Sequence, residues 1–281
     1  MSKPTRPILR YHGGKWMLAS WVISHLPKHR IYVEPFAGAA SVFLQKPRCY
    51  AEVLNDQWEE VVSLFRCLQE PHKAEELQAK LELTPFSRSE LDLACSPGIC
   101  TDVEKARRLI IRSFMGYGSD SSCRGTKPGF RSNSNRSGTT PAHDWVNYPA
   151  QIAAFTARLR GVVIENRSAV SLIPQHDSPE TLFYADPPYP LSTRSKTGAG
   201  SYAHEMSDDD HRELAQVLRS VKGMVVLSGY PCELYDCELY PDWCRVERPA
   251  IAHGALKRTE VLWLSPSAAN VAQGSLFGGT E

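Results

Sequence analysis

Apolar positions recur along this chain in two alternating rhythms. "IYVEP" at 31–35 is a short apolar run that stops at Pro35, and it predicts a buried strand. "FAGAAS" follows and opens a helix-compatible stretch through Leu44. "YAEVLND" at 50–56 predicts a second strand, after which Trp58, Val61, Val62, Phe65 and Leu68 return at helical spacing. Strand, turn, helix, strand, helix predicts a parallel α/β sheet. Further strands are predicted at "VVIE" (162–165), "LFYA" (182–185), "MVVLS" (224–228) and "EVLWL" (260–264). Helices fill the gaps. One starts at Thr101 with Glu104 completing a capping box, one at Ser207 with Asp210 three residues on, and "PAQIAAFTARLR" precedes "VVIE".

Residues 86–148 break this rhythm. They hold no convincing strand, and "SSCRGTKPGFRSNSNRSGTTP" is a polar Gly/Ser/Asn-rich loop. Between Lys105 and Arg136 lie eight basic residues and one acid, Asp120. Two readings stand: a solvated surface loop, or a local footprint for nucleic acid. Global charge does not choose between them, because the 281-residue chain carries a net charge of only +1. Its 42% hydrophobic and 22% charged residues are ordinary for a globular protein with a sizeable core.

The N-terminal "MSKPTRPILRYHGGK" has no apolar core of a signal peptide, and runs such as "MVVL" are too short to span a bilayer. Eight scattered cysteines without a CxxC pair predict reduced thiols, no metal site and a cytoplasmic protein.

Candidate chemistry sits at strand ends, where α/β sheets bind ligands. In "EPFAGAAS", Gly38 lets the backbone pass close to a ligand. Asp56 ends the next strand, where an acid can accept both hydroxyls of a ribose or cap a helix. The turn lacks the spaced glycines of a phosphate loop, and no GKS or GKT follows. A nucleoside without phosphates, such as S-adenosylmethionine, is the expected ligand.

"YADPPY" at 184–189 is the most specific stretch. Pro187 and Pro188 hold φ, so the Asp186 carboxylate and the Pro187 carbonyl present two acceptors in set directions, and Tyr189 offers an aromatic ring. That set suits a planar heterocycle with an exocyclic amine. The lone pair of such an amine is delocalised into the ring. Two acceptors localise it and stabilise the positive charge that develops when it attacks a sulfonium methyl.

With these residues in place, the chain resembles the Dam-type (D12 class, alpha group) DNA adenine-N6 methyltransferases. "RYHGGKWMLASWVISHLP" is similar to their N-terminal cofactor segment, with Tyr11 where tryptophan is frequent and Lys15 at the family lysine. "VEPFAGAASVF", "LNDQW", "YADPPY", "YAHEMSDDDHRELAQVL", "VLSGY" and "KRTEVLWL" resemble the later motifs. Ala40 stands where the family usually has glycine, and "RSFMGYGSDSSCRGTKPGFR" only loosely resembles the DNA-reading hairpin. The resemblance implies an α/β, Rossmann-like methyltransferase sheet, seven-stranded and mixed, with an inserted mainly helical target-recognition lobe. The catalytic domain is expected over 1–85 and 149–268, the lobe over 86–148 and a flexible tail over 269–281. The resemblance also implies S-adenosylmethionine as cofactor, held by Tyr11, Lys15, Phe36, Gly38, Asp56 and Asp186. Catalysis falls to Asp186, Pro187 and Tyr189 acting on a flipped base of double-stranded DNA. Arg112, Arg124, Lys127, Arg131 and Arg136 are the expected DNA contacts, Arg194 and Lys196 are expected to close over the substrate, and a monomer is expected.

"QGSLF" resembles the bacterial sliding-clamp binding peptide. Gln273, Leu276 and Phe277 in an extended tail would fill pockets on that partner, or Leu276 and Phe277 would fold back on the body. Cytosine-N4 methylation, RNA or protein-glutamine methylation and an inactive DNA-binding relative are the alternatives.

Overall fold

Seven strands form one mixed sheet in the computed structural model, in the order β3-β2-β1-β4-β5-β7-β6. The structure describes residues 3–118, 128–133, 138–194, 202–251 and 257–277. The strands are β1 (Ile31–Glu34), β2 (Ala51–Asn55), β3 (Val163–Glu165), β4 (Thr181–Ala185), β5 (Met224–Gly229), β6 (Cys244–Ile251) and β7 (Lys257–Leu264). The first five in the sheet order run parallel, β7 runs antiparallel to β5, and β6 antiparallel to β7. Every strand predicted from the sequence is present. β6 is the addition: Arg245, Glu247 and Pro249 interrupt its apolar character, which an edge strand tolerates because its outer side needs no partner.

Both faces of the sheet are covered, and alternate residues of each strand serve opposite faces. Tyr32, Leu182, Tyr184, Met224, Val226, Leu262 and Leu264 enter one core cluster. Their neighbours Val33, Phe183, Ala185, Val225, Leu227, Val261 and Trp263 enter the other. This period of two, with both sides apolar, produces the near-continuous hydrophobic runs of the buried parallel strands.

The helices are α1 (Ala19–Ser24), α2 (Ser41–Gln45), α3 (Glu59–Gln69), α4 (Pro71–Glu82), α5 (Arg88–Cys95), α6 (Asp102–Met115), α7 (Pro141–Val146), α8 (Ile152–Leu159), α9 (Ala169–Leu172), α10 (Asp208–Ser220) and α11 (Pro266–Phe277). Ser207 and Asp210 form the expected capping box at α10. At α6 only half of the expected box exists. Thr101 accepts from the Glu104 N–H at 3.3 Å, while the Glu104 carboxylate turns to Arg107 and Arg108.

Among the described residues, apolar side chains of 86–148 pack in one core cluster with the sheet. Leu109, Ile110 and Ile111 of α6 are fully buried and belong to the same cluster as Tyr32 and Leu54 of the sheet. The segment's described residues include α5, α6 and α7 and a Gly116–Phe130 bridge. Its apolar positions, however, complete the layer on one sheet face. In the C-terminal stretch, α11 carries the backbone helically through Phe277. Among the described residues no helix is long and apolar enough to cross a membrane.

Candidate active site

Strand order reverses between β1 and β4, and the loops leaving β1, β2 and β4 meet there. They enclose two hollows that share Tyr11, Phe36, Gly38, Asp186 and Tyr202. The larger, about 530 Å³ with the open solvent at its mouth included, is also lined by Asp56, Trp58 and His204. The smaller, about 360 Å³, is also lined by Lys15, Glu34 and Ser41. Of the six expected cofactor residues, all line one or both hollows.

The glycine turn is tied down from the neighbouring strand. The Gly38 N–H donates to Asp56 Oδ2 at 2.7 Å, and the Ala37 N–H donates to the Asn55 carbonyl at 2.8 Å. Gly38 has φ +47°, and a Cβ there would stand 2.9 Å from Tyr11 Cε1, so both conformation and space call for glycine. Ala40 also lies in the left-handed region, with φ 49°. The position where the related family usually carries glycine therefore keeps its conformation here without it, at a steric cost of roughly 1–2 kcal/mol.

Asp56 lies two residues before Trp58, the N-cap of α3, and lines the larger hollow. Its Oδ1 accepts the Trp58 N–H at 2.8 Å ahead of α3, and the side chain still faces the larger hollow. Burial raises its pKa, and the Trp58 and Gly38 N–H groups oppose that rise. Four lone-pair directions on the carboxylate leave room for ligand hydroxyls beside these two donors.

Asp186 emerges from β4 into both hollows. Its Oδ1 accepts from Lys15 Nζ at 2.9 Å and from Ser228 Oγ, on β5, at 2.5 Å. Among the described residues no donor lies on Oδ2. Burial works against the Lys15 ammonium, but Asp186 and Glu260 hold its pKa above the ordinary lysine value. Glu34, 2% exposed at the end of β1, accepts from the Tyr32 hydroxyl at 2.8 Å and from the Phe43 N–H of α2. Burial drives its pKa up to about 8 against those two hydrogen bonds.

Tyr189 departs from the expected open platform. It is 5% exposed, with Lys15 Nζ 4.7 Å from its ring centroid and Tyr230 packed edge-on at 4.7 Å. Its hydroxyl donates to Glu260 Oε2 at 3.0 Å. An electron-rich ring beside a buried ammonium attracts it, and that contact closes the face. Arg194 is likewise occupied: it pairs with Glu205 at 2.7 Å, donates to the Tyr189 carbonyl and stacks on Tyr202 at 4.7 Å. It ties the carbonyl of Tyr189 to Glu205 and Tyr202.

Several arginines of the basic segment have partners within the protein. Arg107 pairs with Glu90 at 2.9 Å and Glu104 at 2.8 Å, and Arg108 with Glu104 at 3.0 Å. Arg112 pairs with Glu60 and donates to the Ala94 carbonyl, and Arg131 donates to the Phe114 carbonyl at 2.8 Å. These acids lie at 60, 90 and 104, all outside the basic stretch from Lys105 to Arg136. Arg124, Lys127, Arg136 and Lys196 lie outside the described residues.

The comparisons with known proteins meet at this cleft. Residues 11–94, which carry Lys15, Gly38 and Asp56, match the family model for the D12 class N6 adenine-specific DNA methyltransferase. With the curated relatives, this match supports a Dam-type adenine methyltransferase. It is 26% identical over 274 residues to the DNA adenine methylase of Salmonella typhimurium, covering 92% of this chain and 94% of that one. It is 28% identical over 224 residues to the DNA adenine methylase of Vibrio cholerae serotype O1, covering 76% of each. Against the DNA adenine methylase of Escherichia coli (strain K12) it reaches 37% over 67 residues, 24% of each chain. The stretch "YADPPY" lies C-terminal to residues 11–94, and the fold brings its aspartate to the same cleft.

Sequence reasoning missed several residues at this Dam-type site. Trp58 was expected only as core, yet it lines the larger hollow and packs 6.1 Å from Tyr11. Glu34, Ser228, Glu260, Tyr202 and His204 had no assigned role. Glu34, Ser228 and Glu260 were detectable in principle as polar residues within otherwise apolar strand patterns.

Proposed function

We infer that the protein methylates the exocyclic N6 of adenine in double-stranded DNA, with S-adenosylmethionine as methyl donor. The observation that carries this reading is Asp186: its Oδ1 is held by Ser228 and Lys15, while Oδ2 is left for a substrate amine in a cleft shared with Gly38 and Asp56. The hollow fits a nucleoside, since Phe36, Tyr11 and Trp58 supply aromatic walls and Asp56 an acceptor for ribose hydroxyls. When bound, the cofactor supplies a methyl on positively charged sulfur; its transfer leaves the carbon–sulfur electron pair on sulfur and carries the positive charge to the attacked nitrogen.

Asp186 Oδ2 and the Pro187 carbonyl accept the two amino N–H groups of adenine and draw its lone pair out of the ring. Asp186 is a fixed acceptor aimed at developing positive charge, and the proton leaves the nitrogen after transfer. The base reaches this depth only by leaving the helix stack, at a cost of a few kcal/mol. Lys15 withdraws from the Tyr189 ring as the base arrives. Arg124, Lys127 and Arg136 supply phosphate contacts in this reading, and the protein acts in the cytoplasm as a monomer.

The test is direct. Incubate unmethylated plasmid with the protein and S-adenosylmethionine, digest to nucleosides and separate them by mass spectrometry. N6-methyladenine is the expected product. N4-methylcytosine, or no methylated nucleoside, overturns the assignment. Long-read mapping of the modified base then gives the recognition sequence.

A further inference from the structure

Residues of one parity along the strands place polar side chains in a row at the active end of the sheet. Tyr32 and Glu34 on β1, Tyr184 on β4, Ser228 on β5 and Glu260 on β7 share the parity of the residues in the first core cluster. Two members of this row hold the two ends of "DPPY". Ser228 donates to Asp186 at 2.5 Å, and Glu260 accepts from the Tyr189 hydroxyl at 3.0 Å. Glu260 is 6% exposed and comes from the antiparallel strand, 71 residues from Tyr189 in sequence.

A carboxylate this deeply buried needs a reason to stay ionised. Burial raises its pKa, and Lys15 is the leading group that opposes the rise. Lys15 in turn sits over the ring whose hydroxyl Glu260 binds. A phenol that donates to a carboxylate gains electron density in its ring. The ring face then attracts a cation more strongly than an unassisted tyrosine does.

We propose that Glu260 is a positioning residue for methyl transfer: through the Tyr189 hydroxyl it orients the ring and enriches its face, which holds the Lys15 ammonium in the free protein and the positive charge developing on the adenine amino nitrogen during transfer. The proposal rests on the adenine-methylation reading above. It predicts an effect concentrated in kcat, because the adenine becomes cationic only as the methyl is passed.

E260Q keeps an acceptor of the same shape and removes the charge. In an enzyme whose wild type produces N6-methyladenine, E260Q lowers kcat on the order of tenfold and leaves both KM values within about twofold. Y189F removes the same hydrogen bond from the other side, and E260Q added to Y189F lowers kcat no further. A spectroscopic arm needs no turnover: with 13Cζ-labelled tyrosine, the resonance lost in Y189F moves in E260Q relative to wild type. Wild-type kcat in either single variant, additive losses in the double variant, or an unmoved Tyr189 resonance overturns the role of Glu260 and leaves adenine methylation standing. Failure of the wild type to methylate adenine overturns both. Y189F keeps the test decisive if E260Q does not fold.

Discussion

The cleft and the basic segment both concentrate charge, and they use it in opposite ways. In the cleft, Lys15 and Asp186 are at most 18% exposed, pair at 2.9 Å and face a hollow. In the segment, Arg107 and Arg112 of α6 reach across to Glu90 of α5 and Glu60 of α3, and Arg108 pairs with Glu104 within α6. A count of like charges along the chain therefore says little about a binding footprint until the acids brought in by folding are included. A rigid motif such as "DPPY" fares better, because its chemistry is contained within a few adjacent residues.

The sharpest way to break this comparison is Asp186→Ala. Methyl transfer should fall by about a thousandfold or more, as expected on losing an acceptor aimed at developing charge. DNA affinity in a gel-shift assay should stay close to wild type. Equal turnover by the variant would remove Asp186 from the chemistry. Ser228→Ala should cost on the order of tenfold in kcat, in line with about 1–2 kcal/mol for a hydrogen bond to a charged group. A loss only in cofactor KM would instead assign Ser228 to binding.

Arg124→Ala and Lys127→Ala sharpen the other side. Each should weaken DNA binding several-fold and reduce the slope of log affinity against log salt by about 1. Arg112→Ala should leave that slope unchanged while lowering stability by less than about 1 kcal/mol, since Glu60 is half exposed. A slope change for Arg112→Ala would return it to the DNA interface.

Glu34 yields a pH effect. Its folded pKa, about 8, lies above its ordinary value of 4.5, so the folded state holds its proton more tightly than the unfolded chain. That contribution to stability is complete below pH 4.5 and is lost as pH rises through about 8. Glu34→Gln should therefore flatten the fall in melting temperature between pH 5 and about 8.5; parallel wild-type and variant curves would refute the shift. The smallest expected effect is that of Ala40→Gly. Relief of the left-handed alanine should gain up to about 1 kcal/mol, measured by urea unfolding.

Legibility followed the range of each interaction. The turn after β1 could be read because Gly38 and its neighbours act through local conformation, and Asp56 because it ends a recognisable strand. β6 was missed because Pro249 and alternating charges mask an edge strand. The partners of the catalytic motif were missed because they arrive from 42 and 71 residues away, through strand register that no local pattern encodes. The core that residues 86–148 share with the sheet was hidden for a related reason. The amphipathic pattern of α6 reveals that it buries a face, and leaves open whether that face meets its own segment or the main sheet.

From residue order alone came the α/β rhythm, the Gly38 turn, Asp56 at the end of β2 and the rigid Asp186, because each rests on backbone preference or on neighbours within a few positions. Tertiary structure decided which arginines are already paired, that Lys15 covers the Tyr189 ring, and that Ser228 and Glu260 hold the two ends of "DPPY". Buried charges are governed by whatever lies a few ångströms away, and in a folded sheet those neighbours come from distant strands.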